Sequence, residues 1–399
     1  VYNQGGTDGP TMYIGTPLNT YYANTVVNRV CITKAITVCS LNGPDKTIIQ
    51  GKAGANGGND VDTVRGAFLL NGASLVGFNI IAGHTKATGS DYHFDRSGGG
   101  VWLSENCTVS NCILTANSAS YKGGGAYVYL GGLVSNCVLA NNSAGDGGGA
   151  ATKGLGILNN CILKGNSGYT GAGVHMSGGT LNNCLVTGNI ASFGGAGVYV
   201  SSYGTLNNCT LSGNLADVRC GGAYLYRGGS VRNSIVWGNS APSANNIYTY
   251  SYGWSVNFTC SDPVAQFGTG NFCEDPSFLA EDHGDFRLRA SSPCLDIGNN
   301  SYISTDSDLT GDQRIRNVTV DLGAYEFRQN EFELTYTNGL DALQWSSGPG
   351  RIYSIYWTDN LSEGFRPLAE NIPWTSNRFL NLPKTSSAFF KLSVELENK

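Results

Sequence analysis

The sequence predicts an all-β chain: a right-handed parallel β-helix of roughly 24-residue coils over residues 1–327, then a small β-sandwich over residues 328–399. Three observations carry this expectation. A short pattern recurs as SNCILTANSA, SNCVLANNSA, NNCILKGNSG, NNCLVTGNIA, NNCTLSGNLA and RNSIVWGNSA. Its central positions, Cys112, Cys137, Cys161, Cys184, Cys209 and Ser234, are spaced by 25, 24, 23, 25 and 25 residues. Asn117, Asn142, Asn166, Asn189, Asn214 and Asn239 keep the same steps, and a glycine-rich group returns once per unit, as at Gly98 to Gly100 and Gly123 to Gly125.

Repeats of this length imply a solenoid, in which each unit buries its apolar side only against its neighbours. Alternation such as Cys112 and Leu114 with polar positions between them is a strand pattern, and no window has helical spacing. Stacked strands joined by Asn and Gly turns pair with the coils above and below, which defines a parallel β-helix. Asn111, Asn136, Asn160, Asn183, Asn208 and Asn233, just before the inward position, suit a left-handed turn. Their amides are expected to bond from coil to coil. The glycines shape the turns, and no lysine follows them at P-loop spacing.

Glycine supplies 56 of 399 residues, charged residues only 13% and apolar residues 41%, a composition for strands and turns rather than helices or disorder. A net charge of −5 offers no electrostatic attraction to nucleic acid. No apolar stretch is long enough for a membrane span. The start, VYNQGG, lacks the pattern of a signal peptide, so an exported protein would be represented by its processed form. Of twelve cysteines, five share one repeat position and read as a column of buried free thiols. Cys260 and Cys273, flanking an irregular loop, are the best disulfide candidates; the pairing of Cys31, Cys39, Cys107, Cys220 and Cys294 stays open.

Less regular coils precede the repeat. Between Gly83 and Ser97 an excursion, HTKATGSDYHFDRS, replaces the short turn of later coils. After Val256 the period fades into a segment expected to close the C-terminal end. Beyond it, alternating strands define the second domain, with Trp345, Tyr353, Trp357, Phe365 and Phe389 read as its core.

The GGG and GAG groups with N-S-A turns resemble the repeats of polymorphic outer-membrane proteins. The run D-P-S-F, G-D-F-R-L, S-S-P-C-L-D-I-G-N, D-L-T-G-D-Q-R-I and V-D-L-G-A-Y-E-F resembles the end of the secreted bacterial β-helix domains called choice-of-anchor Q. The resemblance implies export to the cell surface or medium and a right-handed helix; that family has no single activity.

Some β-helices cleave acidic polysaccharides, using a basic residue or paired carboxylates. Charges in the regular coils, among them Lys122, Lys153, Asp146, Arg219 and Arg227, look scattered along the chain. The excursion is denser: His84, Asp91, His93, Asp95 and Arg96, with Tyr121 and Lys122 one coil later, form a candidate glycan-binding site. The simpler reading is a solvated loop whose turn is supported by Asp95 and Arg96. Asp296, Asp308, Asp312, Asp321 and Glu326 read as turn and capping residues. No metal or other cofactor is expected from the sequence, and which residues would be catalytic is left open. An extracellular structural or adhesive rod is therefore the first functional expectation, and a polysaccharide lyase or glycan-binding module the alternative. Because the first coil lacks an obvious cover, either a preceding segment has been removed, or residues 1 to 24 fold across it, or another molecule covers it, the expectation being that chains associate end to end into fibres.

Overall fold

The computed structural model describes residues 12–14, 26–89, 91–328, 334–337, 342–345, 351–360, 362–373, 376, 378–379, 382–383 and 388–396. Two compact units are present, Val1–Phe327 and Arg328–Lys399. The first is a parallel β-solenoid. One ten-stranded sheet runs through Val27–Ile32, Val64–Leu69, Val101–Leu103, Ala126–Tyr129, Ala150–Lys153, Val174–Ser177, Val198–Ser202, Ala223–Leu225 and Ile247–Thr249. Its tenth strand is Met12–Ile14, parallel to and beside Val27–Ile32. A five-stranded sheet runs from Ser118–Lys122 to Leu215–Ala216. A sixteen-stranded sheet forms two faces that join where Gly229–Trp237 passes through both, and Phe278–Ala280 pairs antiparallel with Asp285–Leu288. The expectation for residues 1 to 24 lies outside the described residues apart from Met12–Ile14.

Equivalent residues stack in register. Leu114, Leu139, Leu163, Val186 and Leu211 pair successively and are all fully buried. Beside them, Cys112, Cys137, Cys161, Cys184 and Cys209 point inward as free thiols, as their period predicts. Each thiol donates to the carbonyl two residues back, as from Cys137 to Ser135 at 3.1 Å.

The six asparagines before these positions are left-handed, with φ between 48° and 52°. The continuous amide ladder, however, belongs to the second asparagine set. Asn117, Asn142, Asn166, Asn189, Asn214, Asn239 and finally Asn246 are linked Nδ2 to Oδ1 at 2.8 to 3.1 Å. These amides are buried, so each must satisfy several groups at once: Asn142 also donates to Leu114 O and accepts from the Asn117 backbone N–H. The last glycine of each group makes room for them. A Cβ on Gly125 would lie 2.9 Å from Asn142 Nδ2 and 2.5 Å from Gly149 O.

Of the left-handed asparagines, only Asn183 reaches an equivalent in the neighbouring coil, Asn160, at 3.0 Å. Asn183, Asn208 and Asn233 instead hold the C-terminal segment. Asn183 donates to Thr305 Oγ1 and Ser307 O, Asn208 to Asp321 O and Asn233 to Asn299 O. The first part of the segment pairs with the last strand, Trp254–Ser261, where the Phe258 and Ser261 N–H groups donate to Thr269 O and Phe272 O; the later part is a strap lying lengthwise across three coils. Phe278, Phe286, Leu288, Cys294 and Leu322 pack it against Leu185, Ile235 and Cys260. Cys260 and Cys273 are both free thiols: Cys260 turns into that apolar seam, whereas Cys273 is exposed.

The acidic residues of the strap are turn and capping groups, as expected. Asp308 accepts the backbone N–H of Thr310, Asp312 and Glu326, and Asp321 those of Asp296 and Phe327. Buried Arg314 lies 3.7 Å from Glu326. Burial pushes the Glu326 carboxyl up to about 8.

The second unit has two three-stranded antiparallel sheets around Leu343, Trp345, Tyr353, Ile355 and Leu382. Trp345 and Tyr353 are core residues as read from sequence, but Phe365 and Phe389 are exposed. Trp357 is half-buried, with the Arg366 guanidinium 4.3 Å from its ring centroid.

Candidate functional site

Alternate residues of a strand point to opposite faces, so a register-stacked sheet carries columns on its outside as well as inside. On the ten-stranded sheet one outward column reads Cys31, Phe68, Trp102, Tyr127, Ala151, His175, Tyr199, Tyr224 and Tyr248. Two residues further along each strand, Tyr129, Lys153 and Ser177 form a second column.

The excursion folds onto the first part of this face. Phe94 is buried against Trp102 at 4.8 Å between centroids, and Trp102 stacks on Phe68 at 4.6 Å. Trp102 Nε1–H donates to His93 O at 2.8 Å. Asp91 accepts the N–H groups of His93 and Phe94, at 2.8 and 3.2 Å, and so caps the turn. Beneath lies Arg65, fully buried, donating to Gly98 O, Ser97 O and Asn28 Oδ1 and also to Phe94 O. Burial depresses its pKa to about 9, opposed by the charge of Asp95. The excursion is therefore a packed cover and not the solvated loop favoured from sequence.

Two linked polar groups sit beside this cover. Lys122 Nζ is 3.1 Å from Asp146 Oδ2 and 3.0 Å from His175 Nε2. Thr170 Oγ1 is 2.5 Å from Asp146 Oδ1 and 2.9 Å from His175 Nδ1. An ammonium has no lone pair, so His175 Nε2 must accept and Nδ1 must carry the proton, which it donates to Thr170; Thr170 then donates to Asp146. The ring of four residues is closed. His175 is held neutral, with its pKa pushed down to about 3 by burial and then by Lys122. Burial raises the Asp146 carboxyl, but the interactions with Lys122 and Thr170 help hold it below its ordinary value.

The second group repeats the logic. Lys153 Nζ donates to His93 Nε2 at 3.1 Å, so Nδ1–H faces Tyr127 Oη at 2.7 Å. Burial and the neighbouring Lys153 lower the His93 pKa. Lys153 also lies 5.2 Å from the Tyr129 ring centroid and Lys122 5.1 Å from that of Tyr121, both favourable cation–π distances. Tyr92 and Arg96 form the rim: Arg96 is 4.8 Å from the Tyr92 centroid, and Tyr92 meets Tyr121 at 5.5 Å. Among the described residues no carboxylate is within ion-pair reach of Lys153.

Of the residues expected at the site, His93, Arg96, Tyr121 and Lys122 do come together, while Asp91 supports the turn from below. Asp95 is buried, its backbone bonded to Asp91 and Lys86. His84 bridges Ser118 through its backbone, and its Nδ1 is buried without a partner, so neither belongs to the cluster. Sequence reasoning missed Tyr127, Tyr129, Asp146, Lys153, Thr170 and His175. The reading of Lys122, Asp146 and Lys153 as scattered is corrected: residues one coil apart in sequence become neighbours. The available signal was positional. Lys122, Asp146 and Thr170 pair with one another in successive coils, each directly before a glycine group.

Among the described residues no group of three or more His, Cys, Asp or Glu is placed to hold a metal ion, and no helix is long and apolar enough to cross a membrane. No protein-family model matches the chain, and no curated protein matches it. Among solved structures it is similar to the crystal structure of pectate lyase Pel9A, with 14% identity over 78% of this chain and 92% of that one and a TM-score of 0.34.

Proposed function

We propose that this chain is an exported β-solenoid that binds an acidic polysaccharide on the outer face of its ten-stranded sheet. The observation that carries the reading is Lys153. Its ammonium is half-buried between a neutral imidazole and a tyrosine ring, with no carboxylate to balance it among the described residues. A carboxylate or sulfate arriving there would make a charge-assisted hydrogen bond, with the rings of Tyr121 and Tyr129 beside it for sugar C–H faces. Export rests on the resemblance of the strap sequence to secreted β-helix domains. A rod with a purely structural role would need no such surplus charge on a tyrosine-lined face.

The test is calorimetric titration with polyuronate and sulfated oligosaccharides and with a neutral glucan of equal length. Acidic chains should bind and neutral ones should not. Lys153→Met, which keeps the aliphatic stem, should weaken binding by about 1.5 to 3 kcal/mol, and Lys153→Arg by less. Equal affinity of wild type and Lys153→Met for the acidic chains would overturn the proposal.

A further inference from the structure

The column that carries Tyr129 and Lys153 continues past the cluster. After Lys153 comes Ser177, where the register shifts so that its backbone faces Ser202 while its hydroxyl lies 2.9 Å from that of Ser201, and beyond them stand Tyr226 and Tyr250. Tyr226 stacks on Tyr199 at 6.0 Å and on Tyr250 at 5.1 Å, with interplanar angles of 25° and 14°. Among the described residues no ring stacks beyond Tyr250. Tyr250 is 59% exposed and lines an open hollow of about 770 Å³ with Ser251, Tyr252, Gly253 and Trp254.

Large aromatic rings left in water on a folded surface mark contact sites more often than chance. Here Tyr252 is 88% and Tyr203 73% exposed. Tyr203 lies over Gly228, where a Cβ would come within 2.8 Å of its ring. The patch is also cationic. Arg227 lies 5.4 Å from the Tyr226 centroid and Arg219 5.0 Å from that of Tyr248, and neither has an ion-pair partner among the described residues.

We infer that this hollow is a second sugar subsite, in which the Tyr250 and Tyr252 rings take pyranose faces and Arg227 takes an acid group, so that one acidic glycan runs along the column from Tyr129. Between the two aromatic ends the column is short and hydroxylated, at Ser177 and Ser201. A protein partner would want an apolar centre and a polar rim, the reverse of this order. A polyhydroxylated chain fits a polar trough with aromatic ends. From Lys153 to Tyr250 is four coils, roughly 19 Å at about 4.8 Å per coil. The identity of the ligand rests on the reading of the Lys153 cluster; the existence of the second subsite does not.

The experiment measures the affinity of uronate oligomers of graded length for wild type, Tyr250→Ala/Tyr252→Ala and Lys153→Met, with circular dichroism to verify folding. In wild type, affinity should climb once oligomers span both subsites. The double tyrosine variant should lose that climb, about tenfold or more, and keep the affinity for short oligomers. Should the double variant fold poorly, Tyr252→Ala, at a residue that is nearly all in solvent, should still lose at least about threefold. Unchanged long-oligomer affinity in the tyrosine variants overturns the second subsite and leaves the Lys153 reading standing. Loss in the tyrosine variants with none in Lys153→Met supports the hollow and overturns the cluster. Absence of binding of any oligomer to wild type overturns both.

Discussion

Two polar regions of the solenoid unit face opposite charge problems. Under the strap, Asp308, Asp321 and Glu326 are buried with one guanidinium, Arg314. Beside the excursion there are two ammonium groups, Lys122 and Lys153, and one carboxylate, Asp146, which pairs with Lys122 alone. The strap resolves its excess internally: backbone N–H groups cap the aspartates, and Glu326 is driven toward its neutral form. The excursion side uses neutral imidazoles as acceptors and still leaves Lys153 without a counter-charge. Burial of polar groups alone therefore does not distinguish a binding site from a seam; an unbalanced charge at a partly open position does.

The comparison breaks most severely at Arg314. Arg314→Met should leave the buried Asp308, Asp321 and Glu326 without their one cation and destabilise the protein by about 3 to 5 kcal/mol, read as a lowered urea midpoint. An unchanged midpoint would mean that the strap contributes little to stability. Next is the ladder under both regions: Asn166→Ala leaves buried backbone groups unpaired and should cost about 1 to 3 kcal/mol by the same measurement. Lys153→Met should stay within about 0.5 kcal/mol of wild type, because the closed ring around Lys122 does not depend on it.

The two regions also bend the pH profile in opposite directions. Folded Glu326 keeps its proton up to about pH 8, while an unfolded glutamate releases it near 4.5. The folded state binds more protons in that window, so this contribution is full below it and is lost as pH rises through it. His175 works the other way. The unfolded imidazole takes a proton near 6.5 and the folded one only at about 3, so its contribution is full above that window and lost as pH falls through it. Denaturation midpoints across pH should show Glu326→Gln flattening the alkaline limb and His175→Gln flattening the acid limb. Parallel shifts of the whole curve would place the titrations elsewhere.

The solenoid was legible because its period is written three times over, in cysteine, asparagine and glycine. The inward thiols followed directly. The amide ladder was misplaced because both asparagine sets keep the same step, and periodicity alone does not say which set points inward. The strap was not foreseen for a related reason. Its capping acids are local and readable, but its docking onto Asn183, Asn208 and Asn233 spans about a hundred residues and leaves no short-range pattern. Half of the site was hidden because attention to runs of neighbouring charges overlooks residues one coil apart. Writing the coils beneath one another would have put Lys122 over Asp146 and Tyr127 two places above His175.

One position in the outward aromatic column has no side chain to speak of. Ala151 stands between Tyr127 and His175, wholly covered. A ring at that level would compete for space with the lysine heads that now gather beside it. In a molecule built by copying a unit, duplication supplies shelf after identical shelf, and individuality has to enter as an omission: the shelf without a ring is the one over which unlike side chains find room.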